Sequence, residues 1–258
     1  MKIGADPELF LVDAADPARL VSSIGLIGGS KEEPRPLDEL GPGFAVQEDN
    51  VALEYNIPAA SSADELANNI GTIMAFLRRQ VGSMGLAFSQ ESAAMFPKEQ
   101  LMHPNALEFG CDPDFNAWTE AVNPRPKASD ATLRSCGGHV HVGVQGFDPI
   151  KSVKLMDLFL AVPSVLMDKG ELRKQLYGKA GAFRPKPYGF EYRVLSNFWV
   201  LGGPELVKWV WNNTRLALES VHLEVDAIKP EIYEAVNNNN ADMARQLINR
   251  YNIPVLQA

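Results

Sequence analysis

Four short segments carry polar groups two residues apart with apolar residues between them. They are Asp6-Pro7-Glu8, Glu48 through Asn56, Gly137-Gly138-His139-Val140-His141-Val142-Gly143, and Glu191-Tyr192-Arg193. Alternate residues of an extended chain share a face, so His139 and His141 point one way and Val140 and Val142 the other. A surface strand turns such a polar face to water. Here the polar faces hold carboxylates and imidazoles, which ligate metals, and an arginine, which holds phosphate, so the four faces are expected to converge. The inventory is Asp6, Glu8, Glu48, Glu54, His139, His141, Glu191 and Arg193. Many carboxylates with one or two imidazoles suit Mg²⁺ or Mn²⁺ better than zinc, which favours Cys and His. Such a cluster repels itself at neutral pH unless cations occupy it, and divalent ions bridging the phosphates of ATP would supply them.

The elements that must position these groups are short strands. Residues 2–12 read as a strand with Ile3, Leu9 and Leu11 on one side and Asp6, Glu8 and Phe10 on the other, at an edge or interrupted at Pro7. Residues 44–56 read as a second strand, with Glu48, Asn50, Glu54 and Asn56 on one face and Val51, Leu53, Tyr55 and Ile57 on the other. Gly28-Gly29-Ser30-Lys31 is a glycine-rich loop between them. Lys31 is either a solvated lysine or one presented to a phosphate or carboxylate. Arg184 and Lys186 lie in a Gly/Pro-rich loop just before Glu191, placing basic groups beside acidic ones as a nucleotide site requires.

Helices fill the intervals. Ser61-Ser62 followed by Glu65 is a capping box opening a helix with Leu66, Ile70, Ile73, Phe76 and Leu77 inward. Asp148-Pro149 starts another, bent near Pro163, and helices from about 205 to 258 close the chain. Residues 86–130 are proline-rich and irregular, with Asp112 and Asp114 read as turn formers. Short strands among helices point to an α+β fold with a mostly antiparallel sheet, taken as a single domain over 1–258.

The totals set limits. The net charge of −8 argues against non-specific nucleic-acid binding. No run approaches the roughly 18 apolar residues of a membrane span, and an acid at position 6 precludes a signal-peptide core. Cys111 and Cys136 read as buried thiols in a reducing compartment. A cytoplasmic protein is expected, with its oligomeric state open.

In this order, Asp6-x-Glu8, Glu48…Glu54, Gly138-His139-x-His141 and Glu191-x-Arg193 resemble the carboxylate–amine ligase (amidoligase) superfamily of glutamine synthetase and glutamate–cysteine ligase. The Gly-Ala-Asp-Pro-Glu start and the Gly-Gly-His-Val-His-Val-Gly strand are more closely similar to compact bacteriophage-encoded COOH·NH2 ligases. The resemblance covers roughly residues 2–200. It implies a glutamine-synthetase-like half-barrel of antiparallel strands flanked by helices, holding ATP and Mg²⁺ (or Mn²⁺). It further implies ATP-dependent amide formation through an acyl phosphate, with a small-molecule or protein carboxylate and an amine as substrates, in the host cytoplasm. Carried over by position, Glu8, Glu48 and Glu54 match the ligands of one metal and Asp6, His139 and Glu191 those of another. Asp6 stands where a glutamate is commoner. Arg193 matches the phosphate-binding arginine, and Arg193, Glu191 and Glu54 are the catalytic candidates. His141 either contacts nucleotide or supports its strand. Lys31, Arg184 and Lys186 are candidates for phosphate or substrate carboxylate from charge and position alone. Two other classes stay open: a metal-dependent hydrolase using His139 and His141, and a non-catalytic virion or interaction protein on the same scaffold.

Overall fold

The computed structural model describes residues 1–107, 114–124 and 130–256. Cys111, Asp112 and the expected turn around them lie outside the described residues, and so does any pairing of Cys111 with Cys136. The chain opens with β1 (Lys2–Ala5), breaks at Asp6-Pro7, and continues as β2 (Glu8–Leu9) and β3 (Leu11–Asp13). Pro7 has no N–H to give a ladder, and the three pieces enter three different sheets. The expected single strand over 2–12 is thus divided where Asp6 and Glu8 emerge.

β4 (Leu20–Val21) pairs with β3, and β5 (Arg35–Pro36) pairs with β6 (Ala45–Asp49). β6 turns directly into β7 (Ala52–Asn56). The segment 44–56 is therefore a hairpin rather than one strand. Asn50 supplies the tight turn with a φ of 55°, a left-handed conformation that Asn tolerates better than most residues. Helix α1 (Ala63–Gly82) follows, with Ser62 accepting from the Glu65 N–H and Glu65 reaching back to the Ser61 N–H. Then come β8 (Leu86–Phe88), β9 (Ala93–Met95), β10 (Phe115–Asn116), β11 (Ala121–Val122), β12 (Leu133–Ser135) and β13 (Val140–Gly143).

Helix α2 (Pro149–Met156), capped by Asp148, widens into a π-turn at Asp157–Ala161. The cause is Pro163, which has no N–H for the carbonyl of Phe159. Asn213 Nδ2 donates to that carbonyl instead, at 2.8 Å. A hairpin of β14 (Ala182–Lys186) and β15 (Gly189–Tyr192) comes next, so Arg184 and Lys186 sit on a strand rather than in a loop. Helices α3 (Pro204–Glu219), α4 (Lys229–Asn237) and α5 (Ala241–Tyr251) complete the chain.

The main sheet runs β1-β13-β15-β14-β10-β11, and a four-stranded sheet runs β2-β7-β6-β5, beside two smaller ones. All pairings are antiparallel, and the fold mixes these sheets with several helices. Among the described residues the strands close no barrel. Alternation decides which face is covered. Val140, Val142, Phe190 and Tyr192 are fully buried on one side, in the hydrophobic cluster that also takes in the stripes of α1, α2 and α3 and reaches Leu247 and Ile253. The other side carries the polar groups. No helix among the described residues is long and apolar enough to cross a membrane.

Candidate active site

Register brings three of the predicted residues into one row. Across β13, β15 and β14, His141 stands opposite Glu191, and Glu191 opposite Arg184. One step along, His139 and Arg193 approach each other beyond the strand ends. Gly138 permits this closeness, since a Cβ there would collide with the backbone oxygen of Ser196. Asp6, at the break after β1, faces both imidazoles, with His141 Nε2 3.0 Å from Oδ2 and His139 Nδ1 3.4 Å from Oδ1. Asp6, His139 and Glu191 each offer a ligand atom within 4.8 Å of the others.

Glu191 is fully buried and ringed by cations: Arg193 contacts one oxygen, while Lys186 and Arg184 approach the other at 2.9 and 3.4 Å. Burial alone would raise its pKa, but Arg193 foremost, with His139 and His141, holds it down at about 2. Asp6 behaves alike. Burial works against its charge, yet His141 and His139 keep it well below the usual carboxylate range. Burial opposes a charge on His141 as well, and Asp6 nonetheless lifts its pKa above the ordinary value. The other ring nitrogen of His141 meets the Tyr188 hydroxyl at 2.5 Å, at the tip of the β14–β15 hairpin.

The second group forms where β2 meets β7. Glu8 stands opposite Glu54, and Asp49 occupies the same face of the hairpin, opposite Ala52. Glu8, Asp49 and Glu54 offer ligand atoms within 4.8 Å of one another. Glu48, expected in this set, is not brought there. The turn at Asn50 reverses the chain, so strict alternation through residues 44–56 fails and Glu48 pairs with Leu53 on the opposite face. Its Oε1 instead accepts from the backbone N–H groups of Gly25, Ile27 and Gly28 at 2.9, 3.1 and 2.8 Å, anchoring the glycine loop. Lys31 stands exposed on that loop.

The two groups differ electrically. Among the described residues no Lys or Arg forms an ion pair with Glu8, Asp49 or Glu54, and the Glu8 carboxylate accepts from the Gly137 N–H at 2.7 Å. Burial raises the Glu8 pKa. Burial, with Asp6, Asp49 and Glu8 close by, raises that of Glu54 well above normal. A partly buried acidic set with no ion-paired Lys or Arg among the described residues offers the donor chemistry of a hard divalent ion. A cleft opens beside it, with Glu8, Asp49, His139, Arg173 and Arg193 in its lining.

Sequence reasoning missed Asp49, Asp114, Arg173 and Tyr188. Asp114 lies 3.7 Å from Arg193 Nε and so braces the guanidinium together with Glu191. Asp49 is findable from the hairpin signal of Asn50. The other three meet the site only through tertiary contacts, and no local spacing marks them.

Residues 128–253 match the family model described as phage phiEco32-like COOH.NH2 ligase-type 2. The matched stretch contains His139, His141, Arg184, Lys186, Glu191 and Arg193, while Asp6, Glu8, Asp49 and Glu54 precede it. No curated protein matches the chain.

Proposed function

With a phage-type carboxylate–amine ligase family supported by residues 128–253, we propose that this protein forms an amide from a carboxylate and an amine at the expense of ATP. The observation that carries this reading is the pairing of two unlike charge clusters: an acidic set with no ion-paired Lys or Arg among the described residues, beside a carboxylate ringed by three cations. Glu8, Asp49 and Glu54 would hold one Mg²⁺ or Mn²⁺, and Asp6, His139 and Glu191 a second. When bound, these ions supply the charge neutralisation that lets a carboxylate approach a polyphosphate. The half-barrel likeness to glutamine synthetase, a single domain and a place in the host cytoplasm belong to the same reading.

Each protein group then has a task. Arg184 and Lys186 turn from Glu191 to phosphate oxygens, and Glu191 is released to act as a ligand. Arg193, fixed between Glu191 and Asp114, offers its fork to the transferring phosphoryl group. A carboxylate oxygen attacks the γ-phosphorus and ADP leaves. The amine attacks the acyl carbon, and phosphate departs with the carboxylate oxygen. Holding both partners in place lowers the barrier for each step. His141, held between Asp6 and Tyr188, supports the Asp6 carboxylate.

The test is calorimetric titration of ATP with and without Mg²⁺, in wild type, Glu191→Ala and Arg193→Ala. Metal-dependent binding that weakens at least about tenfold in both variants is expected, the loss of one charge-assisted contact being of that order. Absence of binding at millimolar nucleotide with either metal overturns the reading.

A further inference from the structure

Beneath the main sheet lies a buried acid that the mechanism above does not use. Asp157, at the start of the π-turn, is fully buried. Its Oδ2 accepts from Trp118 Nε1 at 2.6 Å and its Oδ1 from the Tyr192 hydroxyl at 2.7 Å, and the Gly181 N–H bonds to it as well. Lys154, which lies 5.4 Å over the Trp118 ring, pairs with Asp226 rather than with Asp157. A buried carboxylate held only by neutral donors is costly to keep. An apolar residue of the same size, with the Tyr192 hydroxyl deleted, would fill the space without that cost. What the carboxylate adds is direction, since it fixes where each of its three donors lies.

The three donors belong to three neighbouring strands, each of which also bears residues of the site. Tyr192 ends β15 between Glu191 and Arg193. Alternation sends its ring below the sheet while their side chains lie above it. Gly181 precedes β14, which presents Arg184 and Lys186. Trp118 follows β10, and Asp114, which braces Arg193, precedes that strand. The same ends are joined to one another. The Ala117 N–H donates to the carbonyl of Gly181 at 2.9 Å and the Arg193 N–H to that of Ala182 at 3.0 Å. A Cβ at Gly181, where φ is +85°, would collide with the side chains of Asn116 and Trp118. Tyr233 packs edge-on against the indole, and Lys229 Nζ donates to the Trp118 carbonyl at 3.2 Å. Asp157 is thus the group common to all three strand ends.

We infer that Asp157 is a positioning residue: from beneath the sheet it ties together the strand ends that present Arg193, Glu191 and Asp114, and so sets the posture of the Arg193 guanidinium. The consequence for nucleotide binding rests on the ligase reading, whereas the posture of Arg193 does not.

Two readouts test it: the nuclear magnetic resonance signal of the Arg193 Nε–H, assigned by its loss in Arg193→Lys, and Mg–ATP affinity by calorimetry. Wild type is compared with Asp157→Asn, Tyr192→Phe, the double variant and Asn213→Ala. In Asp157→Asn the Arg193 signal is expected to shift and to exchange with water at least about tenfold faster. Mg–ATP should bind at least about threefold more weakly, the scale on which changes along a contact network act. Tyr192→Phe moves both readouts the same way, and the double variant falls short of the sum, because the two changes remove one shared bond. Asn213→Ala loosens the other end of the same π-turn without touching the three strands, and leaves both readouts within about twofold. The proposal is overturned by an unmoved Arg193 signal in folded Asp157→Asn, or by Asn213→Ala moving it as far, which would make Asp157 one stabilising contact among many. Should Asp157→Asn fail to fold by circular dichroism, an unmoved signal in folded Tyr192→Phe overturns it. A signal that moves in Asp157→Asn while wild type binds no Mg–ATP would remove the ligase reading and leave the positioning role standing.

Discussion

Glu54→Gln separates a structural role for the acidic set from a metal-holding one. Glu54 is 6% exposed and shares its site with Asp49 and Glu8, and no basic side chain forms an ion pair with it among the described residues. Its pKa is raised by burial and by Asp6, Asp49 and Glu8. A carboxyl whose folded pKa lies above its unfolded one stabilises fully below the unfolded value and loses that contribution as pH rises through the folded value. The metal-free protein should therefore lose stability as pH rises from the ordinary carboxylate range through the raised pKa of Glu54. The depressed Asp6 and Glu191 act in a lower window, their stabilisation being lost as pH falls below the ordinary carboxylate range, through about 2 for Glu191. Glutamine keeps the shape and can donate to Asp49. Removing an uncompensated buried charge is worth about 1–3 kcal/mol, or roughly 2–12 °C in a chain of this size. With chelator at pH 7.5 the variant should thus melt above wild type. Divalent ion narrows this gap by about 1.3 kcal/mol: at a hundred times its Kd it stabilises wild type by about 2.7 kcal/mol, roughly 5–11 °C. The variant, binding at least about tenfold more weakly, should lose about half of that gain. Scanning calorimetry with EDTA and with Mn²⁺, with pH raised stepwise to 7.5, reads all four states. If Glu54→Gln melts below wild type in chelator while Mn²⁺ raises both equally, the acidic set is held together by its own hydrogen bonds and the reasoning fails.

The neighbours Glu48 and Asp49 should part company on substitution. Glu48→Ala removes three charge-assisted bonds to the glycine loop, costing about 2–4 kcal/mol and exposing residues 24–33 to limited proteolysis; a loop as resistant as in wild type would contradict this. Asp49→Asn should leave the melting temperature nearly unchanged but weaken Mn²⁺ binding at least about tenfold, measured by calorimetry. Beneath the main sheet, Asp157 accepts from Trp118 Nε1 at 2.6 Å and from the Tyr192 hydroxyl at 2.7 Å, and burial raises its pKa to about 7. Its share of stability is complete below pH 4 and lost as pH rises through about 7, so Asp157→Asn should flatten the melting-temperature profile between those values. At low pH that variant should cost about 1–3 kcal/mol for the donor left without an acceptor; an unchanged profile would show that Asp157 does not titrate there. Asn213→Ala frees the carbonyl of Phe159, while that of Pro254 keeps its bond from Trp209 Nε1, and should cost about 1–3 kcal/mol, read from urea unfolding at constant m-value.

What the sequence discloses about this site follows from how far alternation runs before the chain turns. In Gly137–Gly143 and Glu191–Arg193 the strand is unbroken over the informative residues, so parity alone puts His139, His141, Glu191 and Arg193 on one side of the sheet, where register brings them together. At Asp6-Pro7-Glu8 the proline announces a break, and its consequence is larger than parity suggests: Asp6 and Glu8 end in different carboxylate groups because β1 and β2 join different sheets. In residues 44–56 the same rule misleads. Nothing in Glu48-Asp49-Asn50-Val51 breaks the apolar pattern, yet a left-handed Asn50 folds the segment back, and Asp49 rather than Glu48 joins Glu8 and Glu54. Val51, Leu53 and Tyr55 remain buried either way, which is why burial gave no warning. The released Glu48 then serves the loop through its backbone amides, a use that any acid at that point of the fold could fill and no motif marks. Arg173 is harder still. Its place in the cleft lining comes from two carbonyls at the end of the β15 strand and from the glycine at 178 that leaves it space, and none of these is near it in a pattern of period two or 3.6. Residues that hold a ligand along a strand are thus open to reading, whereas those that close the cleft from other elements depend on contacts between distant parts of the chain.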